Sequence, residues 1–324
     1  MQFNGIYVPV ITPFNDDFSI NEAGFGSIID GAINAGVQGI IVGGTTGEYY
    51  AMDKAERVRT FALAKEAIGS RVPLIAGVGA LRTDDAIYFA QEANKAGADC
   101  LLLGAPYYAI PTSEELVRHC LEVERATDLP IMLYNFPDRT GAPLDEACLE
   151  RLSMRPNFCA IKESSGDINR VHLLARRFPH IQLSCGMDDQ ALEFFAWGAQ
   201  SWVAGAANFL PKEHYALYHA CVVEQDFVKG RKIMTALLPL MQTLEQGGKF
   251  VQCIKYGCQL EGIITGPVRK PLREMNSQLK REFEVTVHTV KTTIAQICSS
   301  YTKNVTKNFT KNVTKNATKN ATEA

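Results

Sequence analysis

A lysine at the end of a short apolar run is the first candidate for chemistry in this chain. Phe158-Cys159-Ala160-Ile161 has the length and composition of a strand buried on both faces, and it carries Lys162 and Glu163 to its far end. An ammonium held where water is scarce loses hydration, so its proton leaves nearer neutral pH. The neutral amine can then attack a carbonyl carbon and form a Schiff base. A surface lysine, or a buried one paired with Glu163, would have no such use, and the hexapeptide alone does not separate these readings.

Other chemistry-bearing residues also follow apolar runs. Gly43-Gly44-Thr45-Thr46-Gly47-Glu48 offers two hydroxyls and glycine-freed amides that can hold a carboxylate without placing a cation beside the lysine. Pro106-Tyr107-Tyr108 ends another run. Tyr134 closes a third and is followed by Asn135-Phe136-Pro137-Asp138-Arg139-Thr140-Gly141. A phenol there can relay protons, and an arginine on the next loop can clamp a second carboxylate in bidentate fashion. Taken singly, a Gly-Thr stretch is a turn and a tyrosine is packing. In Gly186-Met187-Asp188-Asp189 the aspartates most simply cap the next helix.

These residues share a position because of the elements that carry them. Candidate strands are 6–12, 39–42, 73–77, 100–103, 130–134, 158–162, 181–185 and 201–203. Between them lie amphipathic stretches at 22–35, 53–68, 83–96, 113–127, 144–153, 167–178, 189–197 and 212–223, most opened by Asn, Asp, Ser or Thr. Gly36, Gly97 and Gly198 stand where helices must stop. A doubly wound open sheet would share this alternation, but eight repeats predict an α/β (β/α)₈ barrel over residues 1–224. In that fold the residues just past each strand face one mouth. Helical periodicity at 227–244, 249–261 and 273–298 predicts a C-terminal helical appendage over 225–300, packed on the barrel or on a partner subunit.

The 324 residues carry a net charge of −2, which excludes a strongly basic nucleic-acid or polyanion binder. The tail 301–324 repeats a Thr-Lys-Asn tetrad and holds five lysines against one glutamate, leaving −6 on the body. Lacking a periodic apolar face, the tail is expected to be disordered. Its five Asn-x-Thr triplets read as a by-product of the repeat, because Met1 leads directly into a strand with no secretory pattern. No run approaches the roughly 18 apolar residues of a membrane span, so a cytoplasmic protein is expected. Nine scattered cysteines read as reduced core residues, and neither they nor the six histidines show a metal-site spacing.

Five motifs in order, Gly-Thr-Thr-Gly-Glu at 44–48, Pro-Tyr-Tyr at 106–108, Leu-Tyr-Asn-Phe-Pro at 133–137, Ile-Lys-Glu at 161–163 and Ala-Asn at 207–208, resemble the pyruvate-dependent class I aldolases and lyases. That superfamily is typified by dihydrodipicolinate synthase and N-acetylneuraminate lyase, and the resemblance spans about residues 3–275. It implies that Lys162 takes up pyruvate as an imine, that Thr45 and Thr46 hold the pyruvate carboxylate, and that the backbone at Gly186 and Val203 lines the pocket. It further implies Tyr134 as general acid and base, with a relay through Thr45 and a Tyr108 supplied across a subunit interface. Arg139 corresponds to the arginine that guides the semialdehyde's carboxylate. Also implied are no metal or other cofactor, small keto-acid and aldehyde partners, and a homotetramer built as a dimer of dimers.

Within the superfamily, Arg139 and the Thr pair resemble the synthases. Tyr49 and Tyr50 instead stand where synthases carry small residues, and Leu81-Arg82 departs from the segment that binds lysine in feedback-inhibited members, so insensitivity to lysine is expected. Asn135-Phe136-Pro137-Asp138 and Lys249-Phe250-Val251-Gln252 also resemble members that cleave or dehydrate 2-keto-3-deoxy sugar acids. A non-catalytic keto-acid sensor on the same barrel is a third reading, against which an intact Lys162 and Tyr134 stand.

Overall fold

A computed structural model describes the backbone of residues 1–322 and the side chains of residues 1–301; the side chains of the tail expected to be disordered lie, beyond Tyr301, outside that description. Eight strands, β1 (Gly5–Pro9), β2 (Gly39–Val42), β3 (Leu74–Gly77), β4 (Cys100–Gly104), β5 (Ile131–Asn135), β6 (Phe158–Glu163), β7 (Gln182–Cys185) and β8 (Ser201–Val203), pair in parallel with their sequence neighbours. Tyr7 of β1 is in register with Gly39 on one side and Val203 of β8 on the other, so the sheet closes on itself as the expected (β/α)₈ barrel. Its helices are α1 (Glu22–Asn34), α2 (Lys54–Ile68), α3 (Thr83–Lys95), α4 (Ser113–Arg125), α5 (Pro137–Thr140), α6 (Glu146–Leu152), α7 (Ile168–Arg177), α8 (Ala191–Ala196) and α9 (Pro211–Tyr218). The appendage is α10 (Phe227–Gln246), α11 (Phe250–Leu260) and α12 (Ser277–Thr322).

Strand periodicity divides the apolar residues between two cores. Leu101, Leu103, Leu133 and Ile161 face outward into the layer shared with the helices. Their alternates Cys100, Leu102, Met132 and Ala160 fill the barrel's interior with Tyr7, Ile41, Ile75 and Val203. The same parity points Tyr134 and Lys162 inward, one step nearer the mouth.

Local chemistry sets where the helices begin and end. Asp53 accepts the Glu56 N–H at 2.8 Å while Glu56 accepts the Asp53 N–H at 3.1 Å, a reciprocal cap that starts α2 directly after the mouth turn. Gly36 and Gly97, at φ +90° and +82°, take the left-handed conformation that lets the chain leave α1 and α3. β1 is shorter than the 6–12 expected because beyond Pro9 the chain turns toward the Asn208 side chain, which accepts the Ile11 N–H at 3.1 Å. The four-residue α5, opened by Pro137, was not expected. It is too short to show a period.

The appendage packs on the barrel. α10 runs against α8, α9 and α12, and α11 reaches the turns that follow β2 and β8. Phe250 closes over Gly205, where a Cβ would come within 2.6 Å of its ring. Seven of the nine cysteines are buried, as core thiols should be. Among the described residues no helix is long and apolar enough to cross a membrane.

Candidate active site

Tyr134 of β5 and Lys162 of β6 occupy one rung of the ladder, so their side chains stand side by side on the inner face. Lys162 is 9% exposed, and its Nζ lies 4.1 Å from the centre of the Tyr134 ring. Glu163 points to the opposite face. There it accepts two hydrogen bonds from Asn135 Nδ2, at 3.0 and 2.9 Å, and one from the Ser165 N–H at 2.8 Å, with Arg170 Nε 3.6 Å away. Lys162 is therefore neither a surface lysine nor the partner of Glu163. Behind it passes Gly186: a Cβ there would meet Lys162 Cγ at 2.6 Å and Ser164 Oγ at 2.1 Å, so β7 can end this close to the lysine only on a glycine.

The Thr pair opens a 3₁₀ turn at Thr45–Gly47, tied by the Thr12 hydroxyl donating to Gly47 O at 2.9 Å. Glu48 ends that turn at φ +59° with its side chain fully buried. Its carboxylate meets Lys255 Nζ at 2.6 Å and accepts the Arg269 N–H at 2.8 Å, so the appendage fixes the turn carrying the two threonines. Lys255 also donates to Pro267 O at 2.7 Å.

Seven of the residues singled out from sequence, Thr45, Thr46, Tyr134, Arg139, Lys162, Gly186 and Val203, line one narrow cavity. Tyr108 is the exception. In this chain it is 92% exposed at φ +70°, lining neither this cavity nor its neighbour. Among the described residues no hydrogen bond joins the hydroxyls of Thr45, Tyr134 and Tyr108, so one chain alone does not assemble the expected relay. Arg139 sits on α5 with its guanidinium 5.3 Å from the Phe136 ring and borders both cavities.

The second cavity, of about 200 Å³, adds Tyr49, Tyr50, Tyr107 and Arg57. Inward glycines at 43, 77 and 104 leave it open. Arg57 is clamped between Tyr49 and Phe89, at 4.5 and 4.1 Å, and Nη2 donates to Gly77 O. Burial lowers its pKa to about 10, and burial pushes the phenols of Tyr49 and Tyr50 up to about 12, so near neutrality this wall is one cation and neutral hydroxyls.

The sequence did not single out the acidic side of the site. Asp188 does not cap the following helix: its two oxygens accept Trp202 Nε1–H at 2.7 Å and the Gly205 N–H at 3.3 Å, binding the end of β7 to β8. Burial raises its pKa to about 6 against those hydrogen bonds and Lys162. Glu245, near the end of α10, and Phe250, at the start of α11, line the Lys162 cavity with it. For Glu245 the sole sequence signal is an acid beside apolar Leu244, ahead of Gly247-Gly248.

The family model described as the dihydrodipicolinate synthetase family matches residues 2–290. A 4-hydroxy-tetrahydrodipicolinate synthase of Heliobacterium modesticaldum is 34% identical over 279 residues, covering 86% of this chain and 92% of the relative. Among solved structures, the 4-hydroxy-tetrahydrodipicolinate synthase of Methylacidiphilum fumariolicum superposes with a TM-score of 0.87 at 29% identity, covering 91% of this chain and 98% of that one. YagE, a prophage protein of the dihydrodipicolinic acid synthase family from E. coli K12 solved in complex with pyruvate, superposes at 0.83 and 29% identity, covering 90% and 99%.

Proposed function

The chain belongs to the dihydrodipicolinate synthetase family, and from that premise we propose that it binds pyruvate as an imine on Lys162 and condenses it with an acidic aldehyde. It is a Schiff-base-forming lyase of the 4-hydroxy-tetrahydrodipicolinate synthase kind. The observation that carries the assignment of Lys162 is its position: buried at the barrel mouth, on the rung of a tyrosine, with the adjacent glutamate turned to the other face.

The steps use the chain's own groups. The Lys162 amine adds to the keto carbon of pyruvate and water leaves, giving an iminium whose carboxylate is held by the Thr45 and Thr46 hydroxyls. The iminium draws electrons from the neighbouring methyl carbon, Tyr134 moves a proton from it, and an enamine forms. The enamine carbon attacks the aldehyde, whose carboxylate is met by Arg139. Hydrolysis, or attack by an amine of the product, then frees Lys162.

Tyr108 completes the relay from a neighbouring copy. Its exposed ring and the adjacent Ile110, 61% exposed at φ +49°, are held in left-handed conformations at the rim, which suits a segment seated on another subunit. A dimer of dimers would supply each mouth with one such tyrosine. Tyr49 and Tyr50, which take up the wall of the larger cavity, support insensitivity to lysine.

The test is a paired assay: consumption of aspartate semialdehyde with pyruvate, against release of pyruvate from a panel of 2-keto-3-deoxy sugar acids. The condensation should exceed every cleavage in kcat/KM. A sugar acid turned over faster would replace the synthase reading with an aldolase one.

A further inference from the structure

Lys162 shares its cavity with two proton-handling groups, one on a strand and one on a helix of the appendage. β5 delivers Tyr134 on one side, and on the other β7 leads into the turn carrying Asp188 and Asp189, against which the end of α10 packs and presents Glu245. Glu245 lines the same cavity as Lys162, Tyr134 and Arg139, the space an aldehyde between the arginine and the enamine would enter.

Its two acidic neighbours leave it in a distinctive state. Both oxygens of Asp188 are taken up by Trp202 and Gly205, which makes Asp188 a fixed structural acceptor. Glu245 faces the Asp188 backbone, and Phe250 walls the cavity beside it. Burial and the nearby Asp188 and Asp189 raise its pKa to about 8, with Lys162 acting in the opposite direction, so near neutrality it carries a proton.

We propose that Glu245 is a catalytic acid, the proton donor to the aldehyde oxygen of the second substrate. As the enamine carbon bonds to the aldehyde carbon, the carbonyl π pair moves to oxygen and takes the Glu245 proton. The products of the step are a hydroxyl, an iminium on Lys162 and a Glu245 carboxylate, which regains its proton from water before the next turnover. This rests on the imine reading of Lys162 given above.

The test is Glu245→Gln in the full-length protein, assayed with pyruvate and aspartate semialdehyde, together with borohydride trapping of pyruvate. The proposal expects kcat to fall about 10²-fold or more while Lys162 is still labelled and the pyruvate KM moves less than about threefold. The loss of kcat expected in the wild type above about pH 8 should be absent from the variant. A kcat within about threefold of wild type, an unchanged alkaline limb, or loss of labelling in Glu245→Gln would overturn it, the last by showing that Glu245 only positions the lysine. Failure of the wild type to label would instead bring down the imine reading, and the proposal with it.

Discussion

Two lysines are buried among the described residues, and they stand in opposite circumstances. Lys255, 2% exposed, meets the fully buried Glu48 at 2.6 Å and a backbone carbonyl at 2.7 Å, 4.4 Å from the Phe14 ring. Lys162 lies 4.1 Å from the Tyr134 ring, but its neighbouring glutamate faces away and the cavity before it is open. Both ammonium groups have lost water and gained an aromatic face. What separates them is the carboxylate. A contact ion pair fixes Lys255 as a strut for the turn carrying Thr45 and Thr46, whereas Lys162 retains a free bonding direction toward a ligand. Burial makes a lysine unusual; burial without a committed partner makes it available for chemistry.

Breaking the comparison at its structural end should have the largest effect. Lys255→Met leaves Glu48 buried and uncompensated, a loss of about 3–5 kcal/mol, so Tm in a thermal melt should fall by about 5 °C or more with pyruvate labelling of Lys162 intact. Lys162→Met should move Tm by less than about 2 °C. Equal falls would mean that both lysines are struts. At the chemical end, Tyr134→Phe should slow turnover about 10²-fold and still permit the borohydride adduct; unimpaired turnover would remove the phenol from the proton path. Arg139→Ala should raise the KM for aspartate semialdehyde about tenfold and leave that for pyruvate alone, and an unchanged constant would make the arginine structural.

A pH-dependent effect concerns the acids beside Lys162. A folded-state pKa of about 8 for Glu245, above the ordinary value of 4.5, means that the folded protein holds a proton which the unfolded chain releases across that interval. Stability from this group is therefore present below about pH 4.5 and lost as pH rises through about 8. Glu245→Gln should match wild type in Tm near pH 4.5 and exceed it by a margin that grows as pH rises toward 8, to about several degrees. A constant difference across that range would mean that Glu245 titrates normally.

The barrel was legible because eight short runs, apolar on both faces, alternate with amphipathic stretches, the pattern of parallel strands covered by helices. The site residues at strand ends were legible for the same reason: the fold brings every such end to one mouth, so order along the chain becomes proximity in space. Glu245 and the Lys255–Glu48 pair were not legible, and Phe250 was read only as part of a motif, because their places depend on how α10 and α11 dock, and docking leaves no local pattern. The Asp188 carboxyl was misread as a helix cap because Asp after a strand is ordinarily one, and only the packing of β8 brings Trp202 Nε1 to it. Tyr108 was legible as a motif residue, yet in one chain it stands apart from the groups it was expected to serve.

The central claim is that the unpaired buried lysine, and not the paired one, is the nucleophile. Incubation of the protein with pyruvate and borohydride, followed by mass spectrometry of its peptides, tests this directly. The predicted result is a single reduced pyruvate adduct on Lys162, absent from Lys162→Ala. An adduct on Lys255, or none on either lysine, would contradict it.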